Sequence, residues 1–539
     1  MRKFFLFCIV ILSGVEGVFS QTWLWAKKST YETSSDGGYS ICTDGSGNAY
    51  VTGYFEGPLI HFGSIILHNG GMYLVKYDAA GNVLWAKEAG GSPNSSTGLD
   101  VTLDINGNIF VTGVFSSTII LGSDTLTNKG SSNIFLAKYD TSGSVLWAKG
   151  LGGNNYQFSS NSVSADPTGN VFISGYFDSP TLIFESDTLF NTGASNMFIA
   201  KYDSTGNFLW VKSASGSSYN QSSSNSTDRG GNVFVTGWFA TPTITFGSIS
   251  LTGAGLFLVK YDSSGNVLWV RGAILGISYG GAYTQVNTDS SGNIFLTGTF
   301  YAQSITFGAY YITNYGVRNT FLVKYDTLGN VLWANGPYGH SYRNSVSADD
   351  SGNVFIAGNF DSPSMIFGLD TLINLGQGNI FLAKYNASGN ELWAKRAGGS
   401  YSDDCHSVSS DRNGNAFVTG SFSSSTITFG LATLLNGGWG GSNSFIAKMS
   451  SFNGVGINAE ESDNLFLISP NPTNGIFQIN SSNLRITAID AFNVYGEKIY
   501  TSTINSQSSM INLDVPSGIY FLYIKTKQGS SARKIIIQK

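Results

Sequence analysis

The pattern Asp-x-x-Gly-Asn, each time followed by an alternating apolar run, begins at Asp44, Asp104, Asp166, Asp228, Asp289, Asp349 and Asp411. Successive copies lie 60, 62, 62, 61, 60 and 62 residues apart. Such regularity confines the chain to a repetitive architecture, because one short unit cannot bury its apolar face without a neighbour. Within each copy the Asp can bond its own backbone and the Gly is free to take positive φ, which together specify a tight hairpin. The flanking segments, such as NVFISGYF (Asn170 to Phe177) and FLAKYD (Phe135 to Asp140), alternate with period two and favour β-branched and aromatic residues. They read as strands, and the fold class is all-β. The 67 glycines and the 14% of aromatic residues suit short strands joined by tight turns.

A second hairpin, with a Lys-Tyr-Asp turn in the first five copies and Lys384-Tyr385-Asn386 in the sixth, follows and ends at Trp85, Trp147, Trp210, Trp269, Trp333 and Trp393. The seventh copy stops after SFIAKMS (Ser444 to Ser450), with no tryptophan strand. The missing phrase stands at the other end of the chain, as TWLWAK (Thr22 to Lys27), with Trp25 in the register of the rest. A ring of sheets closes when an N-terminal strand completes the last one, since closure covers an edge otherwise open to pairing. The expected architecture over residues 21–450 is therefore a seven-bladed β-propeller whose N-terminal strand closes the seventh blade. A third element in each copy, such as TITFGSISL (Thr243 to Leu251), reads as a short strand or turn packed against the blade.

Residues 1–20 have the form of a secretory signal: Arg2 and Lys3, an apolar run too short to span a bilayer, then a cut before Gln21. No later segment is long and apolar enough to cross a membrane as a helix. With 12% charged residues and a net charge of −5, the chain has no basic footprint for nucleic acid. Residues 451–464 are polar and acidic, as a linker should be. Residues 465–539 return to alternating strands with Pro, Gly and Asn turns, enough for a small C-terminal β-sandwich.

The repeated units resemble the seven-bladed β-propeller repeat family of secreted bacterial proteins over Thr22 to Ser450, a likeness that implies a fold and no activity. The tail resembles the C-terminal sorting domain of the type IX (Por) secretion system. Pro470, Asn471, Pro472 and Gly475 fall where that family's motif places them, as do Gly518, Tyr520 and the terminal Lys539. That resemblance implies a Bacteroidota-type source and passage through the periplasm to the outer cell surface or medium. It also implies the type IX machinery as a partner and removal of the tail on export.

The repeated Asp and Trp read as structure, turn chemistry for the first and wedges between blades for the second. No copy supplies the spacing of a calcium loop, and no cofactor or metal is expected. Cys42 lies two residues before its Asp and Cys405 six before, so the two are out of step and are expected as separate thiols. The connections from each tryptophan strand to the next copy differ in sequence and carry tyrosines among Gly, Ser and Asn, a mixture suited to binding. Candidate binding residues on that face are Tyr156, Tyr219, Tyr279, Tyr342 and Tyr401, with His340, Asp403 and His406 as a polar specificity group. None of the residues is assigned a catalytic role, because no hydrolase or metal-site signature accompanies the histidines. The expected function is binding or adhesion to an extracellular glycan or protein. A secreted propeller enzyme (hydrolase, lyase or lactonase) is the alternative.

Overall fold

Each Asp-x-x-Gly-Asn turn uses both carboxylate oxygens on its own hairpin. Asp166 Oδ1 accepts from the N–H groups of Thr168 and Asn170 at 2.9 and 3.0 Å, and Oδ2 accepts from Asn170 Nδ2 at 2.8 Å. The same set recurs at the ends of the chain, at Asp44 and Asp411. The computed structural model describes residues 22–31, 35–128, 130–152, 158–240, 242–273, 283–437, 441–451, 466–481, 484–493, 498–526 and 529–539. The chain divides into two compact units, one of them Gln21–Ser451 and the other containing Phe452–Lys539.

Among the described residues, the first unit holds seven four-stranded antiparallel sheets, one for each repeat. Sheet 1 comprises Asp36–Thr43, Ala49–Phe55, Gly71–Tyr77 and Val83–Glu88 in spatial order, and sheets 2 to 6 follow the same plan. Sheet 7 is ordered Asp403–Ser410, Ala416–Phe422, Asn443–Met449, Trp23–Lys28. Its last strand comes from the other end of the chain, with Trp25 opposite Lys448 and Lys28 opposite Phe445. The buried clusters lie between consecutive sheets. The series returns to its start, because Ile41 and Val51 of sheet 1 share a cluster with Phe417 and Ile446 of sheet 7.

Two kinds of polar joint connect neighbouring sheets. Near the start of the repeat, a side chain of one first strand accepts from a backbone N–H of the next. Examples are Asn225 N to Ser162 Oγ at 3.1 Å, Val408 N to Ser345 Oγ at 3.1 Å and, from sheet 1 back to sheet 7, Ile41 N to Ser407 Oγ at 3.4 Å. At the other joint, present in five places among the described residues, the tryptophan indole and the Lys that opens the adjacent turn both donate to one carbonyl in the following repeat, whereas Trp85 reaches Thr141 O alone. Trp210 and Lys201 meet at Ser263 O, each at 3.1 Å, and Trp333 and Lys324 meet at Ala387 O, each at 3.1 Å. Trp25 and Lys448 make the same joint at Ala79 O, both at 3.2 Å, across the two ends of the chain. Six of the seven tryptophans are therefore joints as well as wedges, while Trp393 is buried in the cluster between sheets 6 and 7. Cys42 and Cys405 are free thiols.

The third element of each repeat is a two-stranded hairpin and not a single strand, for example Thr243–Phe246 with Ile249–Thr252. Its two-residue turn requires positive φ at the first position, the place of Gly247 at 58° and Gly430 at 58°. The Phe-Gly pair was the signal for a turn here. In the third copy Glu185 occupies that place at φ 41° and is exposed. A side chain in the left-handed region costs about 1–2 kcal/mol, partly offset by the larger chain entropy that Gly loses on folding. Glu185→Gly should therefore stabilise the protein by about 0.5–1 kcal/mol, read as a rise in the denaturation midpoint at unchanged slope.

In the second unit, Phe466–Ser469, Ile476–Ser481 and Ser508–Asn512 form one sheet, and Ile486–Phe492, Lys498–Ser506, Gly518–Thr526 and Gly529–Ile537 form another. Ile479, Ile489, Ile511, Leu522 and Ile535 share one buried cluster drawn from both. Several motif residues hold this unit together. Asn471 Nδ2 donates to Lys534 O at 3.0 Å while its Oδ1 accepts from Ile536 N at 2.9 Å. Tyr520 Oη donates to Pro516 O at 2.9 Å, and Lys539 N donates to Ser517 Oγ at 2.9 Å. Gly475 is required, because a Cβ there would lie 2.8 Å from Leu513 O.

Candidate functional site

The first strand of a sheet carries a one- or two-residue bulge in six cases among the described residues. The register slips between Gly38 and Ser40, Gly98 and Asp100, Ser160 and Ser162, Ser222 and Ser224, Tyr342 and Ser345, and Cys405 and Ser407. A bulge leaves the extra residue out of the ladder and re-aims its side chain. Those residues include Tyr39, Leu99, Ser223, Arg343 with Asn344, and His406. The Gly of each Gly-x-Phe makes room for the bend. A Cβ on Gly53, Gly237 or Gly420 would lie 1.9, 2.0 or 1.9 Å from the carbonyl oxygen of Gly37, Gln221 or Asp404 across the pair.

The bulge residues meet the x residues of Gly-x-Phe around a cavity of about 590 Å³, to which all seven sheets contribute. Tyr39, Tyr54, Tyr176, Trp238 and Tyr283 supply aromatic surface, and Gln221, Gln285, Asn344, Arg343 and His406 supply polar groups. Tyr39 stacks on Tyr54 with ring centroids 5.4 Å apart and planes at 20°, and its other neighbour is the His406 ring at 5.1 Å. Elsewhere on the wall Trp238 is stacked under Tyr219 at 6.4 Å and 21°. Burial lifts both Tyr39 and Tyr54, the latter to about 12, so both phenols are neutral at physiological pH.

Arg343 has φ 53°, a strained conformation for any residue but Gly. Its Nη1 lies 3.2 Å from His406 Nε2 and 3.4 Å from Asp404 Oδ2. A guanidinium can only donate, so Nε2 accepts, and Nδ1 carries the proton that it donates to Gly38 O at 2.9 Å. Burial, then the adjacent guanidinium, push the His406 pKa well down and keep the imidazole neutral. Asp404 Oδ1 in turn accepts from Asn359 Nδ2 at 2.9 Å.

The residues singled out from the sequence are dispersed. Of the polar group only His406 lines the cavity. His340 belongs to a separate network, with Nε2 accepting from Val317 N at 2.7 Å and Nδ1 3.9 Å from Asp361, which is paired to Arg318 at 2.8 Å. Asp403 is buried and holds its own loop, accepting from Gly399 N at 2.6 Å and Ser424 Oγ at 2.9 Å. Tyr342 lies under the Arg318 guanidinium at 4.2 Å, Tyr401 is 57% exposed, and Tyr219 backs Trp238. Tyr156 and Tyr279 lie outside the described residues.

Tyr39, Tyr54, Tyr176, Trp238 and Arg343 were missed because they sit inside strands that read as framework. The signal was nevertheless present. The x of Gly-x-Phe runs Tyr54, Val114, Tyr176, Trp238, Thr299, Asn359, Ser421, and the fifth position before the repeated Asp runs Tyr39, Leu99, Asn161, Ser223, Thr284, Asn344, His406. Both are variable positions in a constant setting.

Comparisons with known proteins agree with the repeats and the tail. A family model described as a beta-propeller repeat matches residues 84–114 and 392–421, and one described as a secretion system C-terminal sorting domain matches residues 467–538. An uncharacterized WD repeat-containing protein of Acanthamoeba polyphaga mimivirus is 24% identical over 75% of this chain, which spans 36% of that relative's length. Among solved structures, the intramolecular trans-sialidase of Ruminococcus gnavus is matched over 74% of this chain and 90% of its own, at 10% identity and a TM-score of 0.28. PorZ, a surface component of the type IX secretion system of Porphyromonas gingivalis, is matched over 95% and 100%, at 10% identity and a TM-score of 0.15. Likenesses of that size say nothing about a ligand. The repeats and the tail together make the chain an all-β protein of β-propeller repeats with a type IX sorting domain, secreted by that route to the cell surface or the extracellular space.

Proposed function

We propose that residues 21–450 form a closed seven-bladed propeller that binds an extracellular glycan in its central cavity, and that residues 465–539 form a β-sandwich sorting domain joined through 451–464. The observation that carries this reading is the wall of the cavity. Stacked Tyr39 and Tyr54, with Trp238 and Tyr176, offer flat apolar faces beside the planar polar groups of Gln221, Gln285, Asn344 and Arg343. A sugar ring presents the complementary pair of surfaces, a C–H face that lies on an aromatic plane and a rim of hydroxyls needing directional partners. At about 590 Å³ the space falls in the range of about 300–1,000 Å³ usual for small ligands and is recessed, which favours a glycan chain over a folded protein. Tyr219, Tyr342 and Tyr401 then belong to an outer rim.

The test is a panel of immobilised polysaccharides probed with the full mature chain. For whichever member is retained, Tyr39→Ala combined with Trp238→Ala should weaken binding at least about tenfold, with the melting temperature unchanged. Undiminished binding by that variant would place the ligand elsewhere.

A further inference from the structure

Arg343 carries the only formal charge among the described residues that line the cavity, since His406 is held neutral and no carboxylate or lysine reaches the wall. We propose that the glycan recognised there is acidic and that Arg343 receives its carboxylate, an inference that rests on the glycan-binding reading above. The guanidinium is anchored by one nitrogen. Nη1 meets His406 and Asp404, whereas Nε and Nη2 have no hydrogen-bond partner among the described residues. Those two nitrogens form the edge that pairs bidentately with a carboxylate.

The anchoring leaves most of the charge available. His406 contributes a lone pair and no counter-charge, because its own proton is committed to Gly38 O. Asp404 makes one long contact at 3.4 Å and shares its carboxylate with Asn359 at 2.9 Å. Arg271, by contrast, gives Nε, Nη1 and Nη2 to three backbone carbonyls at 2.8, 3.0 and 3.0 Å. The backbone at Arg343 also sits in the left-handed region at φ 53°, where Gly would be the relaxed choice. Strain borne by a charged side chain at a cavity wall is the pattern of a functional position. Tyr39 and Tyr54 stack beside His406, so a sugar ring resting on that aromatic wall would lie near the guanidinium.

The experiment compares oligogalacturonates with their carboxyl-reduced counterparts, by calorimetry on the full mature chain. The acidic series should bind at least about tenfold more tightly, with the preference shrinking as salt rises. Arg343→Gln should weaken the acidic series far more than the neutral series, so that the ratio between the two falls to about one. Asp404→Asn, which removes the competing carboxylate, should raise the affinity for the acidic series. Equal affinity for the two series, or a preference that survives Arg343→Gln, overturns the assignment. If the two series bind equally and Tyr39→Ala with Trp238→Ala abolishes both, the glycan reading stands while the carboxylate falls. If only peptides with acidic side chains bind, or neither sugar series does, both fall.

Discussion

A chain that begins at Ser29, and so lacks Trp23–Lys28, is expected to unfold at far lower denaturant than the full mature chain. That strand is the fourth of sheet 7, and its loss uncovers Asn443–Met449, every residue of which is buried. It also removes the edge contact of Trp23 with Phe429 at 5.0 Å, that of Trp25 with Phe417 at 6.0 Å, and the indole bond to Ala79 O. Truncating a buried tryptophan costs about 3–5 kcal/mol. Trp25 is half-buried, so Trp25→Ala alone should fall near about 3 kcal/mol. Deleting the strand should cost more than about 5 kcal/mol, a large part of the net stability of a domain. The exposed edge should also promote association. Urea melts and size-exclusion profiles of the two chains test this, and a synthetic peptide of Thr22 to Lys28 added in trans should restore part of the loss. Superimposable melts would show that the N-terminal strand is not structural.

Removing residues 465–539 should abolish appearance of the protein outside the cell while leaving the rest folded. The repeats lie in a unit with its own buried clusters, and the sorting-domain core draws on residues of the tail alone. The deleted chain should accumulate in the periplasm with an unaltered melting transition and bind its ligand as before. Fractionation of cells and medium distinguishes the outcomes. Normal export of the shortened chain would remove the tail from the route, and a misfolded remainder would show that the two units depend on each other.

The framework of this protein was open to reading from the sequence because its constant residues each answer a local demand. Asp166 and Asn170 close a turn, Trp210 reaches the next repeat, and the orphan TWLWAK announces its partner by the gap after Ser450. The hairpin after Gly-x-Phe was less legible. Its strands are only four residues long, too short for alternation to separate one strand from two. The cavity was missed for a different reason. A bulge is a displacement of register, and nothing in the identity of Tyr39 or Arg343 declares that it has left the ladder. Attention to tyrosines in the loops was drawn by composition, yet loop position does not say whether a ring faces a cavity, backs another ring as Tyr219 does, or stands in solvent as Tyr401 does. Asp403 resembled a free carboxylate beside two histidines, and only coordinates could show its oxygens occupied by Gly399 and Ser424.

The tryptophan–lysine joints have a kinetic consequence. At the seam both donors are present, Trp25 and Lys448 on Ala79 O, so what sets it apart is connectivity, and covalent continuity decides where opening starts. Between sheets 1 and 6 a lost joint leaves its sheets tethered by the chain and able to re-form at once. At sheet 7 the outer strand is tied to its neighbours only by hydrogen bonds and side-chain packing, since it belongs to the far end of the polypeptide. Thermal fluctuation there is the one kind that can separate a strand completely from its sheet. Amide exchange should therefore be fastest along Trp23–Lys28 and its partner Asn443–Met449. The unfolding rate of the molecule should then respond to substitutions at this seam more than to equal stabilisation of the other sheets.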